Sequence, residues 1–395
     1  MKRQRPIIFI STCEFSGDMH GAVLITEIKK LLPEAEFYGV GGKQMAAAGT
    51  EIIFDPTAKS TLGFVEAIKN LGMLNRLIKE IAKKWDQRKP DLLLWLDSGG
   101  FNLKLALEAK KRGIPVVCMF SPSAWAYWEG RAVKLAERVS LLLAVLPFEA
   151  DYYRKFGVKA TYVGHPLVDR IGIPDAAAFR KGLGVDSSQK LVALMPGSRK
   201  QEISSLLPTM LEAAQDVSKD LNITWVLPLA GSINREQVES LIKESYHINL
   251  VIITEGVYDL LAAADGAVIA SGTATLEAGI LGVPMVIVYQ LAKLSLFIYR
   301  RLQTKEQKAR PPIIGLPNLI LGREVFPELK QEQVTAANIA MNLRRILTDA
   351  QYNDELRKQL QIVKDKTGTK GAMTRAATEI TALVKKVAIE NLVIK

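Results

Sequence analysis

The sequence has few of the residues from which disulfide frameworks and metal sites are built. Its 395 residues include two cysteines and three histidines, namely Cys13, Cys118, His20, His165 and His247. Two cysteines do not make a disulfide framework, so we expect a reducing, cytoplasmic location. Because the histidines are not at metal-ligand spacing, we expect no metal site, and no motif calls for a cofactor.

Long hydrophobic runs are also lacking. No uninterrupted run of about 18 apolar residues occurs, so no transmembrane helix is predicted. The basic start MKRQRP leads into a short apolar run and then a Gly/Asp loop, which is typical of a first β-strand and not of a signal peptide. With 395 residues, 48% of them hydrophobic, the chain is long enough for two α/β domains.

Positive charge is in excess, with a formal net charge of +11. Nucleic acid, an anionic membrane surface or phosphorylated substrates would each explain such an excess. No zinc-finger spacing or RNA-binding aromatic pattern is present, so nucleic acid is not expected as a partner.

Short apolar, β-branched runs alternate with amphipathic segments of helix length. This alternation predicts parallel sheets covered by helices on both faces, in two successive sets, and hence two Rossmann-like, doubly wound lobes. The predicted strands are Ile7–Thr12, Leu92–Leu96, Val116–Phe120, Leu142–Val145, Thr161–Val163, Leu191–Met195, Ile223–Pro228, Leu250–Ile253, Ala267–Ala270 and Met285–Val288.

Glycine and proline cluster in Gly164–Pro174, which indicates the boundary between the lobes. We therefore expect domains over 1–168 and 169–350. From about Thr335 onward the pattern is helical, and we expect residues 351–395 to form C-terminal helices that pack back across the lobes.

Ligands of doubly wound sheets bind beyond the carboxyl ends of the strands, so the residues that follow each strand are the candidates. After the first strand, Ser16, Gly17 and Asp18 suit a tight turn and a helix start, and they do not form a G-x-G-x-x-G fingerprint. Asp97 follows a strongly apolar strand, where it suits a general base for a hydroxyl nucleophile; a helix-capping carboxylate is the alternative. The aromatic segment Ser121–Trp128 suits a sugar or acyl pocket, or core packing.

In the second lobe, Gly197 and Ser198 allow backbone N–H groups to face an anion at a helix start, and Arg199 adds a fixed charge. The P-loop spacing is missing. Ser271–Glu277 repeats the pattern, with Glu277 one helical turn in, where it suits a ribose diol. Two anion-receptive helix starts suit a nucleotide diphosphate, although plain helix capping would explain each one alone. The loop Leu316–Glu324 carries an asparagine and an arginine but indicates no mechanism by itself.

One helix has the pattern of a membrane-docking element. Phe64–Trp85 repeats apolar residues every three or four positions, and its cations are Lys69, Arg76, Lys79, Lys83 and Lys84. A basic amphipathic helix of this kind suits anionic headgroups, and an ordinary core-facing helix with a solvated basic face is the alternative.

Taken together and in order, these segments resemble the lipid-A-disaccharide synthase family. The match runs from the first strand to at least Glu328. It comprises Glu14-x-Ser16-Gly17-Asp18, Asp97 with Phe101-Asn102, Ser121-Pro122-Ser123-x-Trp125-Ala126, Leu146-Pro147-Phe148-Glu149, Val163-Gly164-His165, Pro196-Gly197-Ser198-Arg199, Ser271-Gly272-Thr273-Ala274-x-Leu276-Glu277, Pro284-Met285, Leu316-Pro317-Asn318-Leu319 and Gly322-Arg323-Glu324.

The resemblance implies a two-lobed GT-B fold with the acceptor and the membrane at the N-terminal lobe and the UDP-sugar at the C-terminal lobe. It implies an inverting transfer of 2,3-diacylglucosamine from UDP-2,3-diacylglucosamine to 2,3-diacylglucosamine 1-phosphate, in lipopolysaccharide biosynthesis. It also implies a peripheral protein on the inner face of the cytoplasmic membrane, and a homodimer that exchanges C-terminal parts.

The same resemblance assigns roles to residues. Asp97 matches the family's proposed base, and Glu277 matches the donor-lobe glutamate of related GT-B enzymes. The expected substrate-binding residues are Glu14, Ser16, Gly17, Asp18, Ser121, Trp125, Arg199, Ser271, Gly272, Thr273, Glu277, Asn318 and Arg323.

Three departures from the family pattern concern the first lobe. Cys13 and Phe15 replace small residues, and Gly100 replaces a second carboxylate, so acceptor and acyl selectivity stay open. The alternatives are another UDP-sugar transferase, such as a peptidoglycan GlcNAc transferase, a UDP-GlcNAc 2-epimerase-like enzyme, or a catalytically inactive membrane-binding relative. Asp97 and the Ser-Pro-Ser-x-Trp segment count against the first two.

Overall fold

The computed structural model describes residues 5–56, 71–97, 99–121, 129–186, 188–231, 233–242, 246–291, 296, 301 and 313–393. The chain divides into two compact units. The first comprises Met1–Asp169 together with Thr369–Lys395, and the second comprises Arg170–Gly368.

The first unit contains a seven-stranded parallel sheet with the strand order β3-β2-β1-β4-β5-β6-β7. Its central strands are buried along their whole length, which explains their almost continuous apolar sequences. The strands are β1 (Ile7–Ser11), β2 (Glu36–Val40), β3 (Thr50–Phe54), β4 (Leu92–Trp95), β5 (Val116–Met119), β6 (Leu141–Ala144) and β7 (Ala160–Tyr162).

Helices connect these strands, as parallel pairing of successive strands requires. They are α1 (Phe15–Leu31), α2 (Lys43–Ala47), α3 (Leu71–Gln87), α4 (Gly99–Lys111), α5 (Glu129–Ala136), α6 (Pro147–Arg154) and, at the boundary between the units, α7 (Leu167–Arg170).

The second unit contains a six-stranded parallel sheet with the order β10-β9-β8-β11-β12-β13. Its strands are β8 (Lys190–Met195), β9 (Ile223–Pro228), β10 (Asn249–Ile253), β11 (Gly266–Ala270), β12 (Met285–Tyr289) and β13 (Glu328–Lys330). Its helices are α8 (Ala176–Gly182), α9 (Lys200–Val217), α10 (Arg235–Glu239), α11 (Val257–Ala263), α12 (Thr273–Leu281), α13 (Leu316–Leu321), α14 (Ala336–Thr348) and α15 (Ala350–Thr367).

The last helix, α16 (Ala372–Val393), belongs to the first unit. It packs on α1, where the Thr374 hydroxyl donates to the Glu27 carboxylate over 2.9 Å. Of the C-terminal helices, α14 and α15 therefore belong to the second unit, and α16 belongs to the first.

The predicted fold class is confirmed, since both sheets are parallel and doubly wound. All ten predicted strands are present, with ends that differ by at most one residue. The pattern missed three strands, β2, β3 and β13. The first two carry glutamate, threonine or glycine, and the third has only three residues, so none forms a long apolar run.

The prediction of a membrane-docking helix over Phe64–Trp85 is wrong for its described part. Ile78, Ile81 and Trp85 on α3 are buried in the core of the first unit, and Leu74 and Leu77 pack against that core. The Trp85 ring meets Phe9 of β1 edge to face, with ring centroids 5.1 Å apart.

The apolar stripe of α3 therefore covers the sheet, and its exposed lysines form the solvated face. Residues 64–70 and the side chain of Leu71 lie outside the described part of the chain. Across the described residues, no helix is long and apolar enough to cross a membrane.

Candidate active site

Asp97 lies two residues beyond the end of β4, at the carboxyl edge of the first sheet. The neighbouring strand β1 leads to Thr12 and Cys13, which meet the Asp97 carboxylate. The Thr12 hydroxyl donates to Oδ2, and the Cys13 backbone N–H donates to Oδ1 over 2.8 Å. The parallel pairing of β1 with β4 brings these residues together across more than 80 positions of sequence.

Burial raises the pKa of Asp97 to about 7. The hydrogen bonds from Thr12 and Cys13 oppose this shift, while the negative charge of Glu14 adds to it. A carboxyl group with a pKa near neutrality exchanges protons readily at physiological pH, which is the property required of a general base.

Gly17 is required beside Asp97 because there is no room for a side chain. A Cβ atom at this position would lie 1.8 Å from Asp97 Oδ2 and 2.0 Å from Thr12 Oγ1. The first turn of α1 therefore lies directly against the carboxylate. This close approach explains why glycine occupies the position.

The backbone of Asp97 is fixed as well. Its carbonyl accepts from Trp95 Nε1 over 2.5 Å and from Asn102 Nδ2 over 2.6 Å. Both donors are fully buried. The motif residue Asn102 thus holds the turn that presents Asp97, a role that was not predicted from the sequence.

The other residues of the first loop divide into two groups. Glu14 and Ser16 are exposed at the start of α1 and are open to a ligand. Asp18 is buried, and its carboxylate accepts from the backbone N–H groups of Gly42, Gln44 and Met45 over 2.8–3.1 Å. Asp18 therefore caps α2 from within the unit.

Ser121 follows β5 and is tied to a buried glutamate. Its hydroxyl donates to Glu149 Oε1 over 3.1 Å, and Glu149 Oε2 accepts from the N–H groups of Val145 and Leu146 at the start of α6. Glu149 was quoted as part of a motif, but its role as the anchor of Ser121 was not predicted. Trp125 lies outside the described residues.

Two histidines at the same edge were not predicted as site residues. The His20 ring on α1 stacks on Phe120, with centroids 4.7 Å apart. His165, just after β7, is buried, and burial together with the charge of His20 lowers its pKa to about 4. The Leu167 N–H donates to His165 Nδ1, so the proton of the neutral ring is on Nε2.

Phe120 itself has a backbone φ of +59°, which is unusual for a bulky residue. Such conformations cost on the order of 1–3 kcal/mol and concentrate at functional sites. The ring of Phe120 in this conformation stacks on His20. No sequence signal marks this feature, because nothing in the residue type indicates a left-handed backbone.

In the second unit, the loop after β8 differs from its prediction. Its backbone N–H groups were expected to face an external anion, but Glu202 Oε2 accepts from the N–H groups of Ser198 and Arg199 over 3.1 and 3.2 Å. The Arg199 guanidinium pairs with Glu202 Oε1 at 2.9 Å. The anion at this helix start is therefore supplied by the chain itself.

The loop after β11 leaves its helix start exposed to solvent. Gly272 and Thr273 are exposed at the start of α12, and among the described residues no side chain caps this helix. Ser271 donates its hydroxyl to the Ile314 carbonyl over 3.0 Å, which ties the two loops together. The N-terminus of α12 is thus a place where backbone N–H groups and the helix dipole favour an anion.

Glu277 lies one turn into α12 and is half-buried. The Tyr258 hydroxyl donates to Glu277 Oε1 over 3.2 Å. Burial raises the pKa of Glu277, while the bond from Tyr258 and the charge of Arg170 oppose this shift.

Asn318 and Arg323 have different surroundings. Asn318 is fully buried; its side chain bonds the backbone of Val325 and Phe326 and donates to Glu328 Oε1 over 2.9 Å. Glu328 in turn accepts from the N–H groups of Ile314 and Gly315. Through Glu328, Asn318 therefore stabilises the loop at Ile314 that contacts Ser271. Arg323 is exposed, and its guanidinium donates to Gln359 Oε1.

The fold identifies the general class to which the protein belongs. The structure is similar to that of CalG4, the calicheamicin glycosyltransferase, with a TM-score of 0.61 at 15% identity over 98% of this chain and 100% of that one. It is also similar to UDP-GlcNAc 2-epimerase from Neisseria meningitidis bound to UDP-GlcNAc, with a TM-score of 0.56 at 13% identity over 97% and 100%. These likenesses confirm the GT-B fold, which transferases and epimerases share.

The sequence comparisons decide the family. The model of the family described as lipid-A-disaccharide synthetase matches residues 8–380. The lipid-A-disaccharide synthase of Syntrophotalea carbinolica is 37% identical over 96% of both chains, and that of Myxococcus xanthus is 36% identical over 96% of this chain and 98% of its own. The chain belongs to the lipid-A-disaccharide synthetase family, as the ordered motifs predicted.

Proposed function

We propose that this chain is an inverting glycosyltransferase that joins two diacylglucosamine units. The donor is UDP-2,3-diacylglucosamine and the acceptor is 2,3-diacylglucosamine 1-phosphate. The products are the β-1′,6-linked disaccharide 1-phosphate of lipid A biosynthesis and UDP. The observation that carries the proposal is the half-buried carboxyl of Asp97, held by Thr12 and Cys13 with its pKa near 7, in a chain of this family.

Asp97 acts as the base in this mechanism. It takes the proton of the acceptor 6-hydroxyl while that oxygen attacks the anomeric carbon of the donor. The new C–O bond forms on the face opposite the breaking bond to the diphosphate, so the configuration inverts. Thr12 and Cys13 donate to the carboxylate from the side of the sheet and hold its orientation during the transfer.

The second unit stabilises the leaving group. When the bond to the anomeric carbon breaks, its electrons pass to the diphosphate of UDP. The N-terminus of α12 and the guanidinium of Arg199 supply positive potential for this charge. Glu277, held by Tyr258, accepts hydrogen bonds from the ribose hydroxyls, and Asn318 supports the adjoining loop.

The partners follow from the same reaction. Both substrates carry acyl chains, so we propose that the protein works as a peripheral protein on the cytoplasmic face of the membrane. The net charge of +11 supports attraction to anionic headgroups, whereas the apolar face of α3 is committed to the core. A homodimer that exchanges C-terminal parts is proposed from family resemblance alone. Sedimentation with anionic vesicles at low and high salt tests the first point, and mass photometry tests the second.

The decisive experiment is mass spectrometry of the products formed from the two proposed substrates. We expect the tetraacyl disaccharide 1-phosphate and one equivalent of UDP. Release of UDP without the disaccharide would point to a different acceptor. Conversion of UDP-GlcNAc to its 2-epimer would favour the epimerase alternative, and absence of all turnover in a protein that binds UDP would identify an inactive relative.

A further inference from the structure

The loop after β8 carries a carboxylate that occupies the place predicted for a ligand phosphate. We propose that Glu202 is a displaceable internal counter-anion, which competes with the diphosphate of the nucleotide for Arg199 and for the loop N–H groups. This inference rests on the proposed function, because it takes a nucleoside diphosphate as the ligand of the second unit.

Three donors of the loop converge on one carboxylate. The N–H groups of Ser198 and Arg199 both donate to Oε2, over 3.1 and 3.2 Å, and the guanidinium donates to Oε1 over 2.9 Å. An ordinary capping box would use only the N–H of the N-cap residue, here Arg199. The additional bonds to Ser198 and to the guanidinium are those that a phosphate at this helix start would make.

Gly197 makes this arrangement possible. Its φ of +115° is in the region that favours glycine, and a Cβ atom there would lie 2.3 Å from Glu202 Oε2. The glutamate side chain therefore lies across the α-carbon of Gly197, against the loop.

The ion pair between Arg199 and Glu202 is weak enough for a ligand to displace. The Arg199 side chain is 80% exposed and that of Glu202 is 31% exposed, and ion pairs at such positions contribute little to stability. A diphosphate bound to the same donors would meet the like charge of Glu202 at contact distance. Displacement of the carboxylate removes that repulsion, and the incoming ligand brings more charge to the same donors.

The test is a double-mutant cycle on UDP binding, measured by calorimetry. Glu202→Gln removes the charge and keeps the side chain, and glutamine serves in a capping box as glutamate does, so an unchanged melting temperature verifies that the fold is kept. We expect Glu202→Gln to lower the Kd for UDP about 3- to 10-fold, the scale of one exposed charge–charge interaction. With Arg199→Ala as the background, the gain should shrink to less than twofold.

Two outcomes would overturn the proposal. An unchanged Kd in Glu202→Gln would make Glu202 a plain helix cap. A Kd raised toward that of Arg199→Ala would make it a residue that positions the arginine for the ligand. Failure of the proposed function would look different, because wild-type protein would then not bind UDP at all.

Discussion

The two units end their parallel sheets in edges of opposite chemistry. The edge of the first unit carries a half-buried carboxyl, Asp97, and a buried imidazole, His165, and desolvation moves both toward their uncharged forms. The edge of the second unit presents exposed helix starts and an exposed arginine, Arg199. Proton transfer needs a desolvated group with a pKa near neutrality, whereas capture of a diphosphate needs donors that the ligand can reach. The comparison therefore supports the proposal that the first unit carries the base and the second binds the nucleotide.

The strongest test of this division is Asp97→Asn. The substitution keeps the shape and removes the basicity, so turnover should fall by about 10²–10⁴-fold, which is the usual contribution of a positioned base. The Kd for UDP should stay within about twofold, because the nucleotide is assigned to the second unit. Product formation by mass spectrometry and calorimetry with UDP measure the two quantities.

Glu14→Gln and Asp18→Asn are the matched controls for the first loop. Glu14 is exposed and Asp18 is engaged with α2, so neither is expected to act as the base. If Asp97→Asn kept most of its turnover while Glu14→Gln abolished it, the base would belong to the first loop.

The complementary test is Arg199→Ala. We expect kcat/KM to fall by about 10–1000-fold through loss of a charge-assisted contact to phosphate, with a weaker Kd for UDP. Arg323→Ala offers a comparison with an exposed arginine of the same unit. Unchanged kinetics in Arg199→Ala would show that Arg199 is only a surface charge. The role of this arginine in binding the nucleotide would then be wrong.

The pH profile sharpens the assignment of Asp97. Because its pKa is raised to about 7, the base form is lost as the pH falls through 7, and kcat/KM should drop about tenfold for each unit below that point. A profile that stays flat down to pH 5 would contradict the raised pKa or the role.

The same shift has a consequence for stability. A carboxyl whose pKa is higher in the folded protein favours folding at low pH, where it is protonated in both states, and this contribution is lost as the pH rises through about 7. Asp97→Asn should therefore melt at a higher temperature than the wild type at pH 8, and the difference should shrink at pH 5. Thermal scans at both pH values measure it. A mutant less stable than the wild type at pH 8 would mean that the Thr12 and Cys13 bonds outweigh the burial.

The smallest effect is expected at Phe15, which departs from the family pattern. Its ring is 57% exposed at the start of α1, next to the loop that meets Asp97. Phe15→Ala should change the ratio of kcat/KM between long- and short-chain acceptors by a few-fold, since each buried methylene contributes little. Val23→Ala is the control, because Val23 is 50% exposed on the same helix, farther from the loop. Equal ratios in both variants would separate Phe15 from acyl selectivity.

The sequence by itself determined the fold class, the ten apolar strands, the family and the position of Asp97 after a strand. These features depend on local patterns: apolar runs, glycine-rich turns and the order of motifs along the chain. The helix over Phe64–Trp85 shows the limit of such patterns, because the same amphipathic spacing suits a membrane surface and a sheet. The contacts that Ile78 and Trp85 make with the core show that this helix packs on the sheet.

Only the tertiary structure decided the state of each polar group at the two edges. The pairing of β1 with β4 places Asp97 against Thr12, and the partial burial there raises the pKa of Asp97; no local pattern contains that environment. Likewise, Asp18 and Asn318 share motifs with exposed residues, yet the fold turns them inward to cap backbone groups. Burial and hydrogen bonding depend on residues that are distant in sequence. Residue type and spacing therefore identified the candidate loops, but they did not show which side chains in those loops are exposed.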